Sequence, residues 1–332
     1  MAYDATPDIW PLGCLEATLQ AKREAELKKQ IATVFAPATV GNVGPGFDVL
    51  GLAVDGIGDT VTVELTAEPS RIVSVTGRDA GLIPTDIDKN VAAIAALALL
   101  QAAGERRGVA ISLHKGLALS GGMGGSAASS VGGALAAAMA LGINPPVDQL
   151  LKAALAGEAA VAGRHLDNIA PCLLGGLTLV RSVEDLDVIP LPIDEIWWVA
   201  LVTPQIRIET LAARQILPMQ LDRTAWVQQM ANTAGVVTAF TTGDRELLKR
   251  SMVDLYAEPR RASLIPRLQE VKEAASAAGA LGCSISGSGP TVFAIASDER
   301  SAHSCARAMQ KAFANVSATY HVGPVGRGAR AL

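Results

Sequence analysis

Histidine and cysteine are scarce in this chain of 332 residues, with four of each. Cys14, Cys172, Cys283 and Cys305 include no pair at metal-ligating spacing, and no secretory signal precedes them. The sequence therefore predicts reduced thiols in a cytoplasmic protein, not a disulfide framework or a zinc centre. His114, His165, His303 and His321 form no His-x-x-x-His or comparable pair, which argues against a histidine-built metal site. An excess of positive charge is missing too: the formal net charge is −4 with both signs interspersed, so a nucleic-acid partner has no electrostatic footprint. Long hydrophobic runs are also absent. Half of the residues are hydrophobic, but the excess is largely alanine, and the weakly polar run from Ala127 to Ile143 is interrupted by serines and glycines, a poor membrane span. No Gly-Lys-Ser/Thr closes a Walker loop. These absences leave a soluble chain of about two domains by length, with small-molecule ligands and neither nucleic acid nor membrane as partner.

What is present centres on Ala118-Leu119-Ser120-Gly121-Gly122-Met123-Gly124-Gly125-Ser126-Ala127-Ala128, followed by helix formers to about Leu141. Glycines bare the backbone where something must approach closely, and a helix opening behind them points N–H groups and the positive end of its dipole at an anion. The stretch reads as a phosphate cradle, with the Ser126 hydroxyl available to phosphate or metal. Two other readings fit the same residues. Gly122, Gly124 and Ala127 match Gly-x-Gly-x-x-Ala with Asp148 further on, although Asp148 follows the turn Asn144-Pro145-Pro146 and not a second strand. A Gly/Ala helix-packing site is the other.

Along the chain, residues 1–30 read as an accessory extension with a solvated helix over Glu16 to Gln30, too acidic for an organelle-targeting peptide. A short strand, Ile31 to Phe35, leads into a bent, Gly/Pro-rich loop to Asp48, where Asn42 and Asp48 either face a ligand or cap turns. Strands are predicted at Thr60 to Thr66, Arg71 to Thr76 and Val109 to His114, with a helix from about Lys89 to Ala103. A helix over Val147 to Ala162 carries Glu158, a polar loop follows around Asp167 and Asn168, and a strand begins at Gly175-Gly176. The second half predicts strands at Trp197 to Thr203, Leu281 to Ile285, Thr291 to Ala296 and Ala318 to Val322. Its helices are a stretch containing Thr210 and Arg214, then Arg223 to Thr241, Glu246 to Val253, Ile265 to Ala278 and Ser301 to Ala314. The boundaries drawn from this are 1–30, 31–180 and 181–332, an α+β chain.

Three motifs in order carry a resemblance. Pro37-Ala38-Thr39 through Asn42-Val43-Gly44-Pro45-Gly46-Phe47-Asp48 resembles the opening motif of homoserine kinases. Gly122 to Ala128 resembles the Gly-Leu-Gly-Ser-Ser-Ala-Ala loop of the wider GHMP kinase superfamily, and Ile285-Ser286-Gly287-Ser288-Gly289-Pro290-Thr291 its C-terminal glycine motif. Asp167-Asn168-Ile169-Ala170-Pro171, Thr210 and Arg214 before Leu217-Pro218, and Glu258-Pro259-Arg260-Arg261 narrow the resemblance to homoserine kinases, from about residue 31 to 332. Gly125 stands where the loop usually has its first serine, Met123 for leucine and Ala118 for an upstream proline; one residue fewer separates Glu158 from Asn168.

The resemblance implies a two-domain GHMP kinase fold, with a ribosomal protein S5 domain 2-like N-terminal domain and a ferredoxin-like C-terminal one. It implies ATP-dependent phosphorylation of L-homoserine in threonine biosynthesis. Residues 118–128 and Ser286 to Gly289 would hold ATP, with Asn90 on the adenine side, and Ser126 and Glu158 would hold Mg2+, a hard ion preferring oxygen. Arg214 and Arg261 would grip the carboxylate bidentately; Asn42, Asp48 and Thr210 would bind the rest of the substrate and Asn168 would orient its hydroxyl, with either Asp167 accepting the proton or electrostatic positioning alone carrying the reaction. A sister kinase acting on another alcohol such as mevalonate, a non-catalytic ligand sensor and a homodimer stay open; Glu158 as an exposed helix acid and the arginines as surface charges are the plain alternatives.

Overall fold

A computed structural model describes residues 30–194 and 197–332; the predicted Glu16 to Gln30 helix lies outside the described residues apart from Gln30. Strands β1 (Ile31–Gly41), β2 (Leu50–Thr66), β3 (Arg71–Gly77), β4 (Gly108–Lys115), β5 (Leu177–Ser182) and β6 (Asp187–Leu191) form the first sheet, and the last strand, β11 (Arg330–Ala331), returns to pair with β1. The second sheet has the order β10 (Ala318–Pro324), β7 (Trp198–Pro204), β9 (Val292–Ala296), β8 (Gly282–Ile285), all neighbours antiparallel.

Helices α1 (Val91–Ala102), α2 (Gly125–Leu141), α3 (Val147–Ala159) and α4 (Ile169–Leu174) accompany the first sheet. The alanine excess is explained here. Helix α2 is buried along most of its length, and a Cβ on Gly133 would lie 2.2 Å from the Ala92 carbonyl while one on Gly132 would lie 2.6 Å from Val61. Only small residues let α2 approach α1 and β2 so closely. In the second half come α5 (Thr210–Gln215), α6 (Arg223–Thr242), α7 (Arg245–Ser251), α8 (Glu258–Arg261), α9 (Leu268–Ala277) and α10 (Glu299–Ala312). Strand β7 alternates as a two-sided strand should: Ala200 and Val202 pack with α9 and α10, whereas Val199 and Leu201 join a core that also holds Leu50, Leu52 and Phe240. That shared core fixes the two sheets on each other and so fixes the cleft between them.

Two strands are longer than the sequence suggests. β1 runs on to Gly41 through Pro37, because the pairing register with β2 shifts between Pro37 and Ala38, the place where a missing N–H is tolerated. β2 starts at Leu50, ten residues before Thr60. Its glycines mimic a turn in the sequence, but Gly51 and Gly58 are there for close approach: a Cβ would lie 1.8 Å from the Asp167 carbonyl at Gly51 and 2.1 Å from that of Ala36 at Gly58. The bent loop therefore shrinks to the turn between Asn42 and Val49.

Candidate active site

A cleft of about 320 Å³ is walled by residues from both halves of the chain. Along one side lies the glycine stretch. Gly124, the residue before α2, is left-handed (φ 67°), and a Cβ there would lie 2.0 Å from Thr39 Oγ1. Gly122 is left-handed too (φ 77°), and its missing Cβ admits the carbonyls of Ser286 and Gly289 at 2.7 Å. The two glycine motifs thus clasp each other. Ser286 Oγ donates to the Gly122 carbonyl (2.6 Å), and Thr291 donates to the Gly121 carbonyl through Oγ1 (2.5 Å) and N–H (3.2 Å). The first N–H groups of a helix have no intrahelical acceptor, and Gly124, Gly125 and Ser126 line the cleft where α2 begins. Met123, Ala127 and Ala128 turn their side chains into the core, so any part they take in the cradle is through their backbone.

Beneath the loop sits a matched buried pair. Lys115 Nζ contacts Asp59 and donates to Ser129 Oγ and to the Gly125 carbonyl, both at 2.9 Å. Asp59 also accepts from Ser129 Oγ (2.7 Å) and from the N–H groups of Gly116 (3.1 Å) and Leu117 (3.2 Å). The sequence marks this network only by a lysine at the end of a strand that is otherwise mostly buried.

Glu158 is not the exposed helix acid of the plain alternative. It is 6% exposed, the Ser126 hydroxyl lies beside it, and its Oε2 is buried with no partner. Burial pushes its carboxyl up to about 7, with Ser126 opposing and the nearby Asp167 charge adding to the rise. Asp167 is likewise pushed up to about 7, by burial first and then by Asp48, although it accepts the Asn42 N–H at 3.2 Å. Beside it, Asn168 Oδ1 accepts the Thr39 hydroxyl at 2.8 Å.

Opposite stand the charged residues of the second half. Arg214 grips Asp48 with both Nη atoms (2.9 and 2.6 Å), so a cation and an anion are presented side by side. Arg261 is buried and donates to the carbonyls of Ala213 (3.1 Å) and Gly287 (2.8 Å); burial and the neighbouring Arg214 lower its pKa. Both guanidinium groups face the ring of Phe47, at 5.1 and 5.5 Å from its centroid. His165 Nδ1 lies 3.4 Å from Arg214 Nη2, and burial and Arg214 hold the imidazole below its ordinary pKa. Thr210 meets Ser288 at 3.4 Å.

Most of the expected residues therefore meet in one cleft. Asn42 lines it, but its side chain closes loops, accepting from the Asp48 N–H (3.0 Å) and donating to the Gly287 carbonyl (2.9 Å). Asn90 does not itself line the cleft, although Lys89, Val91 and Pro84 do; its side chain caps α1 by accepting from Ala92 and Ala93 and donates to the Pro84 carbonyl at 2.8 Å. Thr39, Phe47, Lys115 and His165 join the expected residues; Thr39 and Phe47 lie inside the opening motif, whereas nothing in the sequence around Lys115 or His165 marks them for the cleft.

Among the described residues no helix is long and apolar enough to cross a membrane, and no three His, Cys, Asp or Glu side chains cluster as a metal site. Residues 90–176 match the GHMP kinases N terminal domain, and residues 236–315 match GHMP kinases C terminal. A homoserine kinase from Chlorobium phaeovibrioides is 42% identical over 291 residues, covering 84% of this chain and 91% of its own. One from Pyrococcus furiosus is 39% identical over 300 residues, covering 90% of this chain and 99% of its own. The crystal structure of a homoserine kinase from Cytophaga hutchinsonii superimposes with a TM-score of 0.87 at 42% identity, covering 91% of this chain and 98% of that one.

Proposed function

The chain belongs to the homoserine kinases of the GHMP kinase family, and on that premise we propose that it transfers the terminal phosphoryl group of ATP to the side-chain hydroxyl of L-homoserine, giving O-phospho-L-homoserine and ADP. The observation that carries this reading is the division of the cleft. Bare helix-start N–H groups and an unmatched buried acid lie on one side, and the Asp48–Arg214 pair with Arg261 lies on the other. A free amino acid carries one carboxylate and one ammonium; Arg214 and Arg261 complement the first, and Asp48 the second.

The residues present fit a divalent cation. Glu158 Oε2 is a buried oxygen without a partner, next to the Ser126 hydroxyl, and two protein oxygens suit Mg2+, which takes the rest of its shell from phosphate and water. Bound there with the nucleotide, the ion would neutralise phosphate charge as it develops. Residues 118–126 hold the phosphates through backbone N–H groups and the α2 dipole, and Ser288 and Gly287 close the cleft from the other sheet. Asn168 orients the substrate hydroxyl. Its oxygen forms the new bond to phosphorus as the bond to the ADP oxygen breaks, and its proton leaves to Asp167, whose carboxyl, held near neutrality, can take it. A cytoplasmic setting in threonine biosynthesis belongs to the same reading.

A coupled ADP-release assay tests it with L-homoserine, mevalonate and galactose offered in turn. Turnover on homoserine well above the other two is expected; turnover on mevalonate alone would move the chain to a sister activity, and none on any of them would favour a ligand sensor.

A further inference from the structure

Asn168 can serve a hydroxyl in two opposite ways, and its amide orientation decides which. Its oxygen would accept the hydroxyl's hydrogen and compete for the departing proton; its NH2 would donate to the hydroxyl oxygen and leave that proton free. We propose that Thr39 is the positioning residue that makes this choice, holding the Asn168 oxygen so that the NH2 alone faces the substrate. This deepens the homoserine kinase reading and rests on it.

Five observations place Thr39 in that role. It is fully buried in β1, and its Oγ1 donates to Asn168 Oδ1 at 2.8 Å. Its own N–H is anchored to the Met123 carbonyl of the glycine loop at 3.1 Å, so the hydroxyl is fixed relative to the phosphate cradle. Gly124 makes room for it: a Cβ there would stand 2.0 Å from Thr39 Oγ1 and 3.0 Å from Asn168 Oδ1. On the other side, a Cβ at Gly41 would stand 2.6 Å from both Asn168 Nδ2 and Asp167 Oδ2. Two glycines thus leave the amide unobstructed on both faces while one hydroxyl grips its oxygen. With Thr39 donating to its oxygen, Asn168 keeps its NH2 donors for a ligand in the cleft. The hydroxyl proton is directed away from it, and the buried carboxyl of Asp167, the preceding residue, is the acceptor at hand.

Thr39→Val keeps the side-chain shape and removes the hydroxyl; Thr39→Ser restores it. Steady-state kinetics with L-homoserine and MgATP should show kcat falling about tenfold or more in Thr39→Val, because small misplacement of a reacting group is costly. Both KM values should stay within about twofold, and Thr39→Ser should recover most of the loss. Because Thr39 acts through Asn168, the Asn168→Ala/Thr39→Val double variant should be no slower than Asn168→Ala alone. Independent losses that multiply in the double variant, or an unaltered kcat in Thr39→Val, would overturn the proposal. Absence of homoserine-dependent turnover in the parent chain would sink the functional reading instead. The amide itself is then read without turnover, by asparagine-selective 15N spectra in which the Asn168 NH2 signals are identified by their loss in Asn168→Asp. Those signals should move in Thr39→Val and return in Thr39→Ser; signals indifferent to Thr39 would overturn the proposal on their own.

Discussion

Asp59 and Glu158 are both buried carboxylates packed near the start of α2, and the chain treats them in opposite ways. Asp59 is fully matched by Lys115, the Ser129 hydroxyl and two backbone N–H groups. Glu158 has only the Ser126 hydroxyl, and one of its oxygens has no partner. A matched buried ion pair is a structural tie: through Lys115 it also holds the Gly125 carbonyl, and with it the first turn of α2. An unmatched buried carboxyl is a standing cost to the fold, one that the cation proposed above would offset. One side of the glycine loop is thus built for stability and the other for chemistry.

The largest expected effect tests the matched side. Asp59→Asn removes the anion and leaves Lys115 buried, which should lower stability by about 3–5 kcal/mol in chemical denaturation, whereas Glu158→Gln in the same experiment should be neutral or stabilising. Equal losses from the two changes would erase the distinction. The substrate side should respond next: Arg214→Ala or Arg261→Ala removes charge-assisted hydrogen bonds worth about 1.5–3 kcal/mol, or about ten- to hundredfold in kcat/KM for L-homoserine. Weak turnover of 3-aminopropan-1-ol, which lacks the carboxylate, should hardly change. Arg261→Ala should also lower the melting temperature more than Arg214→Ala, since Arg261 ties down the Ala213 and Gly287 carbonyls; equal kinetic losses on both substrates would remove the arginines from the carboxylate.

The pH dependence of stability sharpens the other half of the comparison. Glu158 and Asp167 have raised pKa values, about 7 each, in the folded chain. Below the unfolded carboxyl range of about 4 both states are protonated and neither residue affects stability. As pH rises from there to about 7 the unfolded chain releases protons that the folded chain keeps, so stability falls with pH and levels off above that. Nucleotide-free melts should show this slope in the parent and a shallower one in Glu158→Gln; superimposable curves would mean that Glu158 is already compensated. The smallest effect is expected at Gly125→Ser. A Cβ there meets nothing closer than 3.5 Å and φ is not left-handed, so stability should change by less than about 0.5 kcal/mol and kcat should stay within about twofold. A large loss would show that the glycine serves a tighter approach than the unliganded loop requires.

How much of this could be read beforehand follows from what each residue type reveals. Strands β3, β4, β7, β9 and β10 and helices α1 to α3 are legible because runs of strand or helix formers stand between turn residues. The first half of β2 is not, since Gly51, Gly58 and Asp59 look like turn residues unless one knows which backbone presses on them. β6 and β11 are too short and too exposed to carry a pattern. The glycine loop, Asp167, Asn168, Arg214 and Arg261 stand in ordered motifs and Glu158 follows from the resemblance alone; the fold brings them to one cleft. The parts of Thr39, Lys115 and His165 are not legible, because they depend on partners far off in sequence, 129 residues in the case of Thr39 and Asn168. Asn90, which the resemblance places on the adenine side, has its side chain engaged as the α1 cap between two residues that line the cleft.

The contrast between the two acids is tested most directly by a magnesium titration of homoserine-dependent ADP release, run on the parent and on Glu158→Gln at fixed ATP. A neutral amide holds a hard divalent cation less well than a carboxylate, so the variant should need about tenfold more magnesium for half-maximal rate and turn over far more slowly, with a melting temperature equal to or above the parent's. A titration curve that superimposes on the parent's would contradict the account, returning Glu158 to the fold and leaving its unmatched oxygen without a purpose.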